Sequence, residues 1–309
     1  MMGLKFGAKF EQGWGAVVRR GGRLDVAHVL RSTGNSPEIR LYDSFAIEAG
    51  EAAALGGLAQ VRNLKRYRCV TLLDAAAYRL VQLEAPTVPV EERAEATRWR
   101  LKDMVDFPVD GAAIALVDIP GDSGRQAQVF AIAAAREAVG ECMEMYRQAK
   151  IPLEVIDIPE MALRNVGKLF EEENRGLAFL AMTQEDCLLV ITHRGELCLS
   201  RHIDLTSTAL AQADEDRRGQ LLERLALELQ RTLDNFDRQY SYIPVSRLLV
   251  ASEFDAEATV AALATNLYLP LQAMDLAKVV EFSSVPELRS LERQAQGVYA
   301  IGAALREEA

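Results

Sequence analysis

Reactive side chains are few and scattered in this 309-residue chain. Its four cysteines, Cys69, Cys142, Cys187 and Cys198, include no Cys-x-x-Cys pair. They read as small buried hydrophobes rather than metal ligands or disulfide partners. The three histidines, His28, His193 and His202, share no helical face and have no Asp or Glu at ligand spacing. No metal centre, no cofactor and no Ser/His or Cys/His nucleophile is expected from these patterns. What remains is chemistry of recognition. Trp99 is flanked by Arg98 and Arg100, with Phe107 shortly beyond. An aromatic among guanidinium groups suits an anchor for a partner peptide, with the arginines either steering an acidic or carboxylate-bearing partner or simply solvated. A second basic run, Arg62 to Arg68, is either a solvated helix end and strand start or a docking patch.

Composition narrows the function classes. Half of the chain is hydrophobic and 26% is charged, as in ordinary globular proteins, and the length suits two domains. The formal charge of −10 argues against a general nucleic-acid binder, which needs a basic surface, and against docking on an anionic membrane by charge alone. No apolar run approaches the 18 or so residues of a membrane-spanning helix. The start, Met-Met-Gly-Leu-Lys-Phe, lacks the apolar core and cleavage site of a signal peptide, so a cytosolic chain is expected.

These residues must be positioned by alternating short elements. Leu4, Phe6, Ala8 and Phe10 fall on one face of a strand, a turn follows at Glu11-Gln12-Gly13, and Trp14 to Arg20 makes a second strand. Gly21-Gly22 is a hairpin turn of the kind that needs positive φ, and Arg23 to Leu30 returns as a third strand. An alanine-rich helix from Ile47 to Arg62 and a buried strand from Cys69 to Leu73 complete the order β-β-β-α-β. The same order reappears as strands at Leu177–Ala181, Leu188–Ile191 and Leu197–Ile203, a helix at Gly219–Tyr240 and a strand at Leu248–Ala251. In that helix, Leu222, Leu225, Leu229, Leu233, Phe236 and Tyr240 recur at steps of three and four, which predicts a core-packed face rather than a coiled-coil seam. Residues 1–175 are expected to form one half, with a small α/β insert at about 78–133, and residues 176–309 the other. The Gly21-Gly22 and Arg194-Gly195 turns are expected to be equivalent. Duplicated α/β halves of this order are the layout of the actin-like (ribonuclease-H-like) ATPase fold.

Several segments carry a narrower likeness. The stretch Leu83-Glu84-Ala85-Pro86, followed by Trp99-Arg100-Leu101-Lys102-Asp103 and Asp106-Phe107-Pro108, resembles the insert subdomain of PilM-type pilus assembly proteins. Within that family it looks closest to the members serving mannose-sensitive hemagglutinin pili. Ile156 to Leu163 resembles the family's strand-to-helix connection, and Tyr299 to Arg306 its closing helix. The cytoplasmic domain of the type II secretion protein GspL is built similarly and is a rival identity. The resemblance implies a cytoplasmic protein, peripheral at the inner membrane, that binds the cytoplasmic tail of a bitopic (single-span) pilus assembly partner. A groove between the first half and the insert would receive that tail. Trp99 either packs on the neighbouring subdomain or, with Phe107, Arg98 and Arg100, forms the groove wall.

The resemblance also implies where a nucleotide would sit, and the residues there depart from what phosphates require. Actin-like ATPases use two hairpin tips with Asp-x-Gly and small hydroxyl residues, whose backbone N–H groups point at phosphate oxygens. The first tip is expected at Gly7 to Trp14, which has no Asp, Ser or Thr. The second, Ala181 to Cys187, has no glycine and places Glu185 and Asp186 toward the terminal phosphate. At the adenosine side, Ala251-Ser252-Glu253-Phe254 stands where a Gly-Gly pair is usual. A scaffold with a degenerate nucleotide site is therefore expected, the alternative being an ATP-binding ATPase with divergent phosphate loops.

Overall fold

A computed structural model describes residues 10–31, 36–48, 50–122 and 126–307. The first half opens with β1 (Trp14–Arg20), β2 (Arg23–Leu30), β3 (Glu38–Ala46), α1 (Glu51–Val61) and β4 (Arg68–Leu72). The insert follows as β5 (Tyr78–Glu84), α2 (Val90–Leu101), β6 (Ala113–Ile119) and β7 (Gln128–Ala134). The chain returns through α3 (Arg136–Gln148), β8 (Leu153–Asp157) and α4 (Pro159–Lys168). The second half comprises β9 (Gly176–Met182), β10 (Cys187–His193), β11 (Glu196–Ile203), α5 (Ser207–Gln212), α6 (Glu215–Gln239), β12 (Val245–Ser252), α7 (Ala256–Ala264), β13 (Leu271–Ala273) and α8 (Leu291–Ala304).

The duplication is explicit in the sheets. The first runs β3-β2-β1-β4-β8 and the second β11-β10-β9-β12-β13. In each, the first strand pairs antiparallel with the second and parallel with the strand that follows the helix. Every residue of β9 and β10 is buried, as expected for strands covered on both faces. The insert is a separate antiparallel sheet, β5-β7-β6, with its own core of Leu83, Leu101, Val109 and Val129. Helix α6 buries Leu225, Ala226, Leu229 and Phe236 on one face, and Asp214 caps its start by accepting from the Arg217 N–H at 2.8 Å.

Two helices tie the halves together by crossing between them. Helix α4 precedes the second half in sequence but packs on β9, β10 and β11; α8 closes the chain yet packs on β1, β2 and β4 as well as β12. The first five-stranded sheet thus ends with β8 and the second begins with β9, whereas α4, between them in sequence, packs on the second and α8 packs on both. They meet at a close backbone contact, where a Cβ on Gly302 would collide with the Ala162 carbonyl oxygen. There Asn165 donates from Nδ2 to the Gly302 carbonyl at 2.9 Å.

The three-stranded meander differs from expectation by one strand. It spans 14–46 rather than 4–30, and residues 4–9 of the expected first strand lie outside the described residues. Strand β3 escapes an alternation test because Leu41 and Tyr42 are adjacent apolar residues and the β2–β3 register shifts between His28 and Val29. The glycine turns are accordingly not equivalent: Gly21-Gly22 joins the first two strands of its half, and Arg194-Gly195 joins the last two of the other.

Candidate functional site

Two hairpin tips face each other between the halves. Of the Gly7–Trp14 segment, Gly7 to Lys9 lie outside the described residues, and the described part is not one of them: Glu11 sits at the far end of β1, donating its N–H to the Arg66 carbonyl at 2.8 Å. The tip that reaches the second half is Arg20-Gly21-Gly22-Arg23, between β1 and β2. Opposite it stands Met182 to Cys187, between β9 and β10. The approach is so close that a Cβ on Gly21, where φ is +56°, would run into the Glu185 carboxylate.

Charged side chains of the protein occupy the space between these tips. Arg20, whose side chain is 11% exposed, pairs with Asp186 at 2.7 Å and Glu185 at 3.8 Å. Its guanidinium lies over the Tyr299 ring of α8, 4.3 Å from the centroid, and the Tyr299 hydroxyl donates to Asp186 at 3.1 Å. Burial opposes the Arg20 charge, but Tyr299, Asp186 and Glu185 more than restore it, so its pKa is raised. Burial, and then the Asp186 carboxylate, push the Tyr299 hydroxyl well above its ordinary value. Arg23 makes a second link, to Asp25 at 3.1 Å within its own sheet and to Glu253 at 3.1 Å beyond β12.

The backbone donors of the second tip are also spent internally. The N–H groups of Glu185 and Asp186 both donate to the Thr183 hydroxyl, at 3.3 and 3.2 Å. That hydroxyl donates in turn to the Asp186 carboxylate at 2.6 Å. On the adenosine side, the Glu253 carboxylate accepts from the Gln184 N–H at 3.4 Å, and Ser252 folds back on the Phe254 backbone. The second tip thus spends its N–H groups at Gln184, Glu185 and Asp186 on acceptors of the protein itself.

Beneath the tips lies a cluster that spacing in the sequence does not disclose. Glu160, in the first turn of α4, is 2% exposed; it accepts from the Tyr78 hydroxyl at 2.6 Å and stands 3.6 Å from His202 of β11. The hydrogen bond to Glu160 raises the His202 pKa against the opposing effect of burial. Three separate elements supply the cluster, so no local motif marks it. Its nearest signal is the Pro159-Glu160 pair, a helix-starting proline followed by an acid. The cysteines offer no rival chemistry, since burial pushes the Cys69 and Cys198 thiols up to about 12 and Cys142 to about 11.

A second candidate lies between the insert and the first half. An apolar groove of about 360 Å³ runs between β6 and β8, lined by Ala113, Ile114 and Ala115 on one side and Leu153, Val155 and Ile156 on the other. Each of these strands is the outermost of its sheet, and Ile132 and Ala134 of β7 with Val139 and Met143 of α3 complete the lining.

The structure does not gather the sequence-derived partner residues around this channel. Arg98 donates to the carbonyls of Val109 and Ala112, and Arg100 to that of Glu84, so both brace the insert. Phe107 packs against the insert core. Trp99 is 74% exposed on α2, so packing against a neighbouring subdomain does not account for it. Trp99→Ala is accordingly expected to change unfolding free energy by less than about 0.5 kcal/mol in a denaturant titration, the range of surface substitutions. The basic run is largely consumed locally, Arg62 pairing with Asp43, Arg66 with Glu11 and Arg68 with Glu154.

No protein-family model and no curated protein sequence matches the chain. Solved structures do. A PilM–PilN type IV pilus biogenesis complex superposes with a TM-score of 0.73 at 22% identity, over 95% of this chain and 98% of that one. A Bacteroides thetaiotaomicron protein described as having an actin-like ATPase fold and unknown function gives 0.51 at 11% identity, over 95% and 98%. The cytoplasmic domain of EpsL, an inner-membrane component of the Vibrio cholerae type II secretion system, gives 0.48 at 12% identity over 92% and 94%, too distant to carry an argument. The chain has the actin-like ATPase fold. Among the described residues, no helix is long and apolar enough to cross a membrane.

Proposed function

We propose that this chain is a non-catalytic scaffold of a type IV pilus, or type II secretion-like, inner-membrane platform, acting at its cytoplasmic face. Its task is to hold the cytoplasmic tail of a single-span membrane partner; it has no need of nucleotide. The carrying observation is the likeness, along nearly the whole of both chains, to a PilM–PilN complex. Membership of the branch serving mannose-sensitive hemagglutinin pili (MshI) belongs to the same proposal, resting on the insert residues Trp99 to Phe107.

The groove between β6 and β8 suits that task. An extended tail satisfies its backbone by adding to an open strand edge, and gains specificity where alternate side chains enter apolar pockets. Trp99, supported by Phe107, Arg98 and Arg100, is proposed as a separate exposed contact on the insert for the same partner. Trp99→Ala would then weaken binding by about 2 kcal/mol without altering stability. The lack of a nucleotide requirement is supported by the second tip, whose N–H groups at Gln184, Glu185 and Asp186 donate within the protein, and by the pairing of Arg20 and Arg23 with carboxylates. The test is calorimetric titration with synthetic peptides covering the cytoplasmic tails of the host's single-span pilus and secretion platform proteins. One is expected to bind in the micromolar range with no nucleotide present. Failure of every tail, or binding that requires Mg·ATP, would refute the reading.

A further inference from the structure

Two-domain proteins that close over a ligand owe their closed arrangement to what the ligand contributes between the domains. In this chain the corresponding contacts come from the protein itself. Arg20 of β1 reaches across to Asp186 and Glu185, while Tyr299 of α8 holds Asp186 from below and stacks on the guanidinium. Arg23 reaches Glu253, whose side chain is 4% exposed, and donates to the Gln296 carbonyl of α8 at 3.4 Å. Both arginines leave the first sheet at one tip and end on carboxylates of the second half.

We infer that Arg20 and Arg23 form a two-point electrostatic lock that fixes the halves against each other with no ligand in the cleft. A buried ion pair adds little net stability compared with an apolar filling, because desolvating both charges offsets their attraction. What it supplies is a penalty on separation to any intermediate distance. Until water reaches them, each charge is stranded in a medium of low dielectric. The lock therefore selects one relative orientation rather than cementing the fold, and the crossing helices α4 and α8 carry the bulk of the cohesion. The carboxylates facing Arg20 are Asp186 and Glu185, and those facing Arg23 are Asp25 and Glu253, so each arginine has a partner to lose.

Amide hydrogen exchange of the full chain, without added nucleotide or peptide, tests the lock. In Arg20→Met, amides 183–187 and 252–254 are expected to exchange at least tenfold faster, with 128–134 in the insert unchanged. The reversed pair Arg20→Asp with Asp186→Arg should return the tip amides to within about threefold of the parent rate. Should Arg20→Met not fold, Arg23→Met interrogates the other limb by the same amides. Parent-like tip exchange in a folded Arg20→Met or Arg23→Met protein would overturn the inference. So would acceleration spread equally over the insert, which would mark general destabilisation.

Discussion

Gly302→Val should be strongly destabilising. Gly302 lies in α8 where that helix crosses α4, and a Cβ would collide with the backbone oxygen of Ala162 and crowd the Val166 side chain. Neither partner can yield cheaply, because Ala162 and Val166 are themselves buried within α4. The Asn165 side chain, which donates to the Gly302 carbonyl, would be displaced at the same time. Overpacking a rigid contact costs about 1–3 kcal/mol, and losing a buried hydrogen bond adds to it, so about 3 kcal/mol is expected. For a chain of this size that is a fall in Tm of roughly 6–12 °C. Gly219→Ala is the control: the added Cβ would meet nothing within α6, and removing a helix-interior glycine should stabilise by about 0.5–1 kcal/mol. Equal effects from the two substitutions in a thermal melt would show that α4 and α8 do not form the joint between the halves.

The second large effect concerns the groove. Ala113 and Ala115 of β6 are both exposed and, two residues apart, project to the same side of the strand. Ala115→Arg would fill the channel and set a guanidinium among Ile114, Val155 and Ile156, where an entering tail could not compensate it. Tail binding should weaken by at least about 100-fold, or about 2.7 kcal/mol, while the melt stays close to the parent because the position is exposed. A titration in which Ala115→Arg binds the tail as tightly as the parent would place the site elsewhere on the molecule.

Much of this architecture is legible in the residues. The strands at 177–181, 188–191 and 197–203 and the helix at 219–240 are each bounded by turn chemistry or charge, and the structure extends each by only a few residues. Reading fails where periodicity is broken. The bulged β3 conceals one strand, so the hairpin that reaches the second half is Arg20–Arg23 rather than the expected Gly7–Trp14. Misplacing the tip also hides the lock: Glu185 and Asp186 look like charges that repel a phosphate until Arg20 is seen between them. The Glu160–Tyr78–His202 cluster is illegible for a different reason, since a helix start, an insert strand and a second-half strand meet only through the tertiary fold. Trp99 is visible as an aromatic out of phase with its helix, but pattern alone does not decide whether such a residue is covered.

Calorimetric titration of the protein with Mg·ATP bears most directly on the central claim, that an actin-like cleft here operates filled by its own side chains. No saturable heat is expected up to millimolar nucleotide, nor any rise in Tm, although a ligand at 100 times its Kd would stabilise by about 2.7 kcal/mol. A dissociation constant in the low micromolar range, lost on substituting Gly21 or Asp186, would contradict it.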